Sequence, residues 1–355
     1  MSIQVQLVPK TKPGQQLQQK FDRRLEAILC EQVRTAPTPQ MAALWQHITT
    51  ATAGGKRTRP LLVNLGYQVV GTDQDARLLD IGCAFELLHT ALVIHDDIID
   101  QDFTRRGQPT LSAHYRDAAL AQGKPQVTAE HLGHSAALLA GDALISKALQ
   151  LLHAACQDVA CGQRMIEVFH SAIQQSAAGE LDDVMFSAHI ESPDLDDVLQ
   201  MHRLKTAAYS FEAPLVTGAL LGGATDEVVD RLSSFANLLG SCYQIIDDVL
   251  GTFGDAKTTG KPNDSDLREG KMTVLIALVE SIDTAAGTVE AWRHGDVSND
   301  AMRALLISHD IETKARALAD ECCQQARDEL AQLPLSKAVR TTFDQLIDDL
   351  LQRNT

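Results

Sequence analysis

Between Phe85 and Thr110 the sequence reads FELLHTALVIHDDIIDQDFTRRGQPT, an apolar run that ends in three carboxylates and two arginines. On a helix Asp96 and Asp100 stand one turn apart on a common face, His89 lies two turns before Asp96, and Asp97 is turned away by roughly 100°. Two carboxylates so placed repel unless a cation lies between them. Hard divalent ions that take oxygen ligands suit the arrangement, Mg²⁺ above all, with phosphate oxygens completing an octahedron that the protein leaves open. Arg105 and Arg106 are planar forks matched to such phosphates. Ala91, Leu92, Val93 and Ile94 carry the helix into a core, where unpaired charge is expensive, so these carboxylates need partners.

The same logic recurs in YQIIDDVLG, where an apolar helix runs into Asp247 and Asp248, with Gln244 one turn before Asp248. The segment that follows, from Gly251 to Lys271, is polar and glycine-rich and carries Lys257, Lys261 and Lys271. A stretch this long without a secondary-structure pattern reads as a functional loop or a disordered one. Three other Asp-Asp dipeptides, at Asp182, Asp196 and Asp348, read as solvated faces of an acidic helical protein, and no basic partner is evident for Asp348-Asp349.

The turn ATAGGKRTRP gathers Lys56, Arg57 and Arg59 at a helix start, where free N–H groups favour anions and Gly54 and Gly55 let a ligand approach the backbone. It reads equally as a diphosphate site or as a solvated basic turn. Lys205 can reach a phosphate but is, by itself, an ordinary surface lysine. His131, His134 and Asp142, among small apolar residues, read as core or cap residues rather than ligands.

These groups need helices to hold them. Apolar residues make up 45% of the chain and aromatics only 4%, so Leu, Ala, Val and Ile must do the packing, which favours helices over sheets. Helical spacing is expected from Gln15 to Val33, Pro39 to Thr50, 75–101, 128–155, 162–189, 194–222 and 225–250, and again in the segments that follow, after a frayed lead through Gly14. No linker divides the 355 residues, so a single domain over 1–355 is expected. The net charge of −16 argues against a nucleic-acid backbone or an anionic membrane as a generic partner. Seven scattered cysteines with no CxxC spacing read as reduced, mostly buried thiols of a cytoplasmic protein. The N-terminus lacks a signal-peptide core, and the apolar stretches read as too interrupted for a membrane span.

Two acidic pairs at the ends of apolar helices, each followed by basic residues, are the pattern for Mg²⁺ ions gripped around a diphosphate. Together GGKRTRP, LLHTALVIHDDIIDQDFTRRGQPT, LLAGDAL, KTA at Lys205, YQIIDDVLGTFGD, TGKP and DLREGK resemble the all-trans isoprenyl (polyprenyl) diphosphate synthases, over about residues 20–350. The look is that of geranylgeranyl diphosphate synthases. The resemblance implies an all-α fold, a bundle of mostly antiparallel helices around a deep central cavity, usually in a homodimer. It also implies a reaction in which an allylic diphosphate ionises with the help of Mg²⁺, three ions once diphosphate is bound, and isopentenyl diphosphate attacks the carbocation.

Residue by residue, the resemblance makes Asp96, Asp100 and Asp247 metal ligands, supported by Asp97 and Asp248. Lys56, Arg59, His89 and Arg106 fall on the isopentenyl diphosphate site. Arg105, Lys205, Thr206, Gln244, Lys261 and Lys271 fall on the allylic diphosphate site. One departure stands out: the second motif of the family often reads DDxxD, whereas here its fifth position is Gly251 and the next acid is Asp255.

A helical turn of about 5.4 Å is on the order of one isoprene unit. With Ala91 small and no aromatic at 91 or 92, Leu92, Leu88 and Phe85 are expected to set a floor near twenty carbons, geranylgeranyl diphosphate. A longer or farnesyl product, or a non-catalytic subunit of a heteromeric synthase, are the alternatives. A terpene cyclase would have no use for a second diphosphate site, and in a metal phosphohydrolase His95 would have to share a metal with Asp96 from which it is turned by roughly 100°.

Overall fold

A computed structural model describes residues 12–71, 75–105, 107–190, 192–254 and 265–352. It is all-helical apart from a two-stranded hairpin, Thr104–Arg105 with Gln108–Pro109. The described residues fall into two compact units, 12–64 with 75–166, and 65–71 with 167–352.

In the first unit α4 (Arg77–Ile99) packs against α6 (Gln126–Cys156). All seven residues from Gly82 to Leu88 are buried, so α4 is enclosed on every side there, as a helix apolar all round must be. Around it stand α1 (Lys12–Thr35), α2 (Pro39–Thr52), the first half of α3 (Thr58–Val70) and α5 (Leu111–Ala121). Phe21, Ile48, Phe85, Leu87 and Leu144 fill this core.

The second unit is built on α10 (Asp226–Phe253), which packs against Ile311–Ala331 and against a π-helix, Arg203–Glu212, lying between α8 (Leu195–His202) and α9 (Ala213–Leu221). Its core includes Phe169, Leu232, Leu239 and the edge-to-face pair Phe235–Phe343. α7 (Gly162–Ser187) meets the π-helix at Gly179, and the short helices Ser265–Arg268 and Val274–Glu280 sit beside α10.

Several expectations change. The first helix begins at Lys12 rather than Gln15, because Pro13 falls in the first turn, where a missing N–H costs nothing. The helix expected over 194–222 is interrupted by the π-helix, and α10 continues to Phe253. Asp348 has a basic partner after all, Arg327 at 2.6 Å. By length and composition α4 and α6 are apolar enough to cross a membrane, where the sequence was read as too interrupted; 61% of the apolar window of α4 is buried inside the protein. All seven cysteines are free thiols, and Cys83, Cys156, Cys242 and Cys323 are buried.

Candidate active site

The last turn of α4 presents the first acidic set. Asp100 closes the helix, its N–H donating to Asp96 O at 2.8 Å, and Asp102 N donates to Asp97 O at 2.8 Å. The hairpin that follows turns at Gly107, in the left-handed region at φ +71°, and so brings Arg105 back over the helix end. Its Nη2 lies 2.7 Å from Asp96 Oδ2 and its Nε bonds Asp97 Oδ1. The two aspartates differ: Asp96 keeps 22% of its side chain exposed and Asp97 only 7%. Burial pushes Asp97 up to about 6, with Arg105 pulling the other way. Burial opposes the charge on Arg105, but Asp97 and Asp96 more than offset it and hold its pKa above the ordinary value.

The basic turn before α3 is anchored by Arg57, the one member of its basic trio that the resemblance places on neither diphosphate site. Arg57 is 5% exposed, and its guanidinium donates to Asp22 at 2.7 Å, Glu86 at 3.0 Å and Thr52 O at 3.0 Å. This ties the turn to α1 and α4 and leaves Lys56 and Arg59, on either side, half-buried. The signal was Glu86, a lone acid inside the apolar run of α4, which needs a buried cation. His89 is half-buried one turn short of Leu92–Val93; Phe85, Leu88 and Ala91 are fully buried and Leu92 is half-buried.

His95, beside this set, is accommodated by the glycine of LLAGDAL: a Cβ at Gly141 would lie 2.7 Å from His95 Cε1. Its Nε2 is 3.4 Å from Leu138 O and 3.8 Å from Asp142.

The second unit carries the second acidic set. Asp247 is half-buried, whereas Asp248 is 4% exposed. Asp248 Oδ2 accepts from Val274 N at 3.0 Å and Oδ1 from Gln244 Nε2 at 3.2 Å; His202 Nε2 stands 3.7 Å away. Burial raises Asp248 well above the usual carboxylate range, and the charge of Asp266 adds to the effect. Asp248 thus anchors the first turn of Val274–Glu280, and Asp247 is the member of the pair left at the surface. Gln244 also accepts from Thr206 Oγ1 at 3.2 Å.

Lys205 and Thr206 project from the π-helix, a form that commonly marks functional segments. It is wedged between two glycines: a Cβ at Gly179 of α7 would lie 2.8 Å from Lys205 Cα, and one at Gly240 of α10 would lie 2.8 Å from Ala207 Cα. Lys205 Nζ is held by Asp183 at 2.6 Å and Glu180 at 3.0 Å. The dipeptide Asp182-Asp183 is expected on a solvated face, but Asp183 is buried because Lys205 meets it there. Lys271 Nζ lies 2.8 Å from Glu269. Arg106, Asp255, Lys257 and Lys261 lie outside the described residues.

Residues 41–306 match the family model for polyprenyl synthetase. The chain belongs to that family. Among its relatives, geranylgeranyl diphosphate synthase of Sulfolobus acidocaldarius is 38% identical over 227 residues, 63% of each chain. The chain therefore spans less than two thirds of that relative's length, whereas with geranylfarnesyl diphosphate synthase of Aeropyrum pernix it is 31% identical over 310 residues, 85% of this chain and 91% of the other. The crystal structure of geranylgeranyl pyrophosphate synthase from Corynebacterium glutamicum, complexed with isoprenyl diphosphate and magnesium, superposes with a TM-score of 0.86, at 26% identity, over 95% of this chain and 98% of that one. The all-α class that the resemblance implies is the class observed.

Proposed function

We propose that this family member is a trans-prenyltransferase that joins isopentenyl diphosphate head-to-tail to an allylic diphosphate and yields geranylgeranyl diphosphate. The observation that carries this reading is the split within each acidic pair: Asp97 and Asp248 are buried and bonded, while Asp96, Asp100 and Asp247 are half-buried at the polar ends of apolar helices. Identity of 38% with the Sulfolobus enzyme supports the product, and residues 1–355 are read as one functional domain.

The donor set fits Mg²⁺. It is all carboxylate oxygen, with one or two half-buried carboxylates at each set. That suits a cation that keeps waters and takes substrate phosphate as ligands. Asp96 and Asp100 would hold Mg²⁺ at the first set and Asp247 a further ion at the second, three ions in all with diphosphate bound. When bound, Mg²⁺ neutralises the charge that develops on the departing pyrophosphate.

The chain's own residues do the rest. Lys56, Arg59, His89 and Arg106 bind isopentenyl diphosphate; Arg105, Lys205, Thr206, Gln244, Lys261 and Lys271 bind the allylic diphosphate. Arg105 and Lys205 are already oriented by carboxylates, so little side-chain entropy remains to be lost when phosphate replaces a partner. The buried face of α4 receives the growing tail, with Leu92, Leu88 and Phe85 as its floor. The released pyrophosphate takes the proton that leaves the product. We further read the chain as a cytoplasmic homodimer.

The test is incubation of the purified chain with Mg²⁺, isopentenyl diphosphate and, separately, primers of five, ten and fifteen carbons, followed by product-length analysis. A dominant twenty-carbon product is expected, lengthening in Leu88→Ala and Phe85→Ala; unchanged length in both variants overturns the floor. No turnover with any primer favours a non-catalytic subunit. A twenty-five-carbon product is the second reading, favoured by the long match to the geranylfarnesyl enzyme.

A further inference from the structure

Arg105 reaches Asp96 and Asp97 because a hairpin carries it there, and the hairpin is short: Thr104 pairs with Pro109 and Arg105 with Gln108. Two strands of that size do not hold a place by themselves in water. The base of the loop is tied to α5. Thr110 N donates to Phe103 O at 3.1 Å, and the Thr110 hydroxyl donates to Asp102 O at 3.0 Å while it accepts from Ala113 N as the cap of the helix. These bonds close the base and leave the tilt of the strands over α4 to side chains.

Phe103 supplies the seat. The Arg116 guanidinium of α5 stands 3.9 Å from the centre of its ring, and the His134 ring of α6 stacks on it, 5.3 Å between centroids and 15° from parallel. The two helices can converge on one ring because position 133 is glycine: a Cβ there would collide with Ser112 O and come within 3.4 Å of Arg116 Cβ. Arg116 is steadied by Asp117, which accepts from its Nε at 2.8 Å. His134 Nε2 is buried and has no hydrogen-bond partner among the described residues, so this imidazole contributes through its ring face. Core filling does not account for Phe103, which is half-buried, whereas Phe21 and Phe85 in the core of the same unit are fully buried. Only Thr104 separates the seated ring from Arg105.

We propose that Phe103 is a positioning residue for the allylic diphosphate: seated against Arg116 and His134, it holds the hairpin over the end of α4 and so presents Arg105. This rests on the prenyltransferase reading. Phe103 acts through Arg105, and its loss leaves the charge of the arginine in place but frees its direction.

The experiment measures kcat/KM of the full chain for the fifteen-carbon primer, with Mg²⁺ and saturating isopentenyl diphosphate. Phe103→Leu, which keeps apolar bulk and loses the ring, is expected to lower it about tenfold, the scale of a cation–π contact and a ring pair lost together, with thermal unfolding unchanged. Phe103→Tyr keeps the ring and is expected to match the unaltered chain. Arg105→Lys, which keeps a cation against Asp97 and loses the fork, is expected to lower kcat/KM as well. The double variant Phe103→Leu with Arg105→Lys is expected to be no worse than Arg105→Lys alone, because a residue that acts through another has nothing left to act on. A merely structural role for Phe103 multiplies the two losses instead. Unaltered kcat/KM in either Phe103→Leu or Arg105→Lys, or losses that multiply, overturns the inference and leaves the prenyltransferase reading standing. No product from the unaltered chain overturns both.

Discussion

The two acidic pairs have the same sequence, the same helical setting and the same internal division: the first aspartate is half-buried and the second is buried. They differ in what meets the buried member. Asp97 receives a charged guanidinium from Arg105, whereas Asp248 is held by neutral donors, the Val274 N–H and the Gln244 amide. Burial accordingly lifts Asp97 only to about 6 but drives Asp248 well above the usual range. Each Asp-Asp dipeptide thus contains one fastener and one carboxylate proposed as a metal ligand, and the fastener is built differently at the two sites.

The largest effect expected is on the half-buried members. Asp96→Asn should lower turnover by about a hundredfold or more at saturating substrate, the scale of losing several kcal/mol of charge stabilisation. A variant with near-normal turnover would remove Asp96 from the metal set.

The buried members offer the sharpest break. Asp97→Asn strips a partner from a mostly buried arginine and should cost about 3 kcal/mol in urea unfolding. Asp248→Asn keeps an acceptor for Val274 N and should change stability by less than about 1 kcal/mol. Equal costs would mean that the two fasteners are alike.

His202, beside Asp248, extends the comparison to pH. Burial lowers it to about 4 against the pull of Asp183. Between pH 4 and the ordinary histidine value of about 6.5 the unfolded chain binds a proton that the folded chain does not, so stability rises with pH across that window. Acidification from 7 to 4 should therefore remove up to about 3 kcal/mol through this group, and His202→Gln should flatten that part of the urea-stability profile. The smallest effect belongs to Asp348, half-exposed against Arg327: Asp348→Ala should cost less than about 1 kcal/mol by the same measurement.

The helical class, most helix spans and both acidic pairs were legible because they are written in local periodicity and in charge placed at helix ends. The fasteners were not, because each joins residues far apart in the chain. Nothing in TAGGKRTR names Glu86 and Asp22 as the partners of Arg57, and nothing near KTA names Asp183 for Lys205. Gly251 read as a missing carboxylate and turned attention to Asp255, because sequence distance hides Asp266, whose carboxylate rests where a side chain at 251 would begin. The apolar stretches read as interrupted, yet α4 holds Glu86 inside its buried run, and a charge enclosed in the protein does not end an apolar helix.

The π-helix has a consequence for insertions and deletions. Its wide turn accommodates one more residue per turn than the α form on either side. Deleting a single residue between Ala207 and Ser210 would let Arg203–Glu212 rewind into an ordinary helix, the tighter winding offsetting most of the roughly 100° that one residue contributes, so α8 and α9 would largely keep their relative direction. The wide turn that carries Lys205 and Thr206 is therefore encoded in a count of residues, and a one-codon deletion would remove it without altering either.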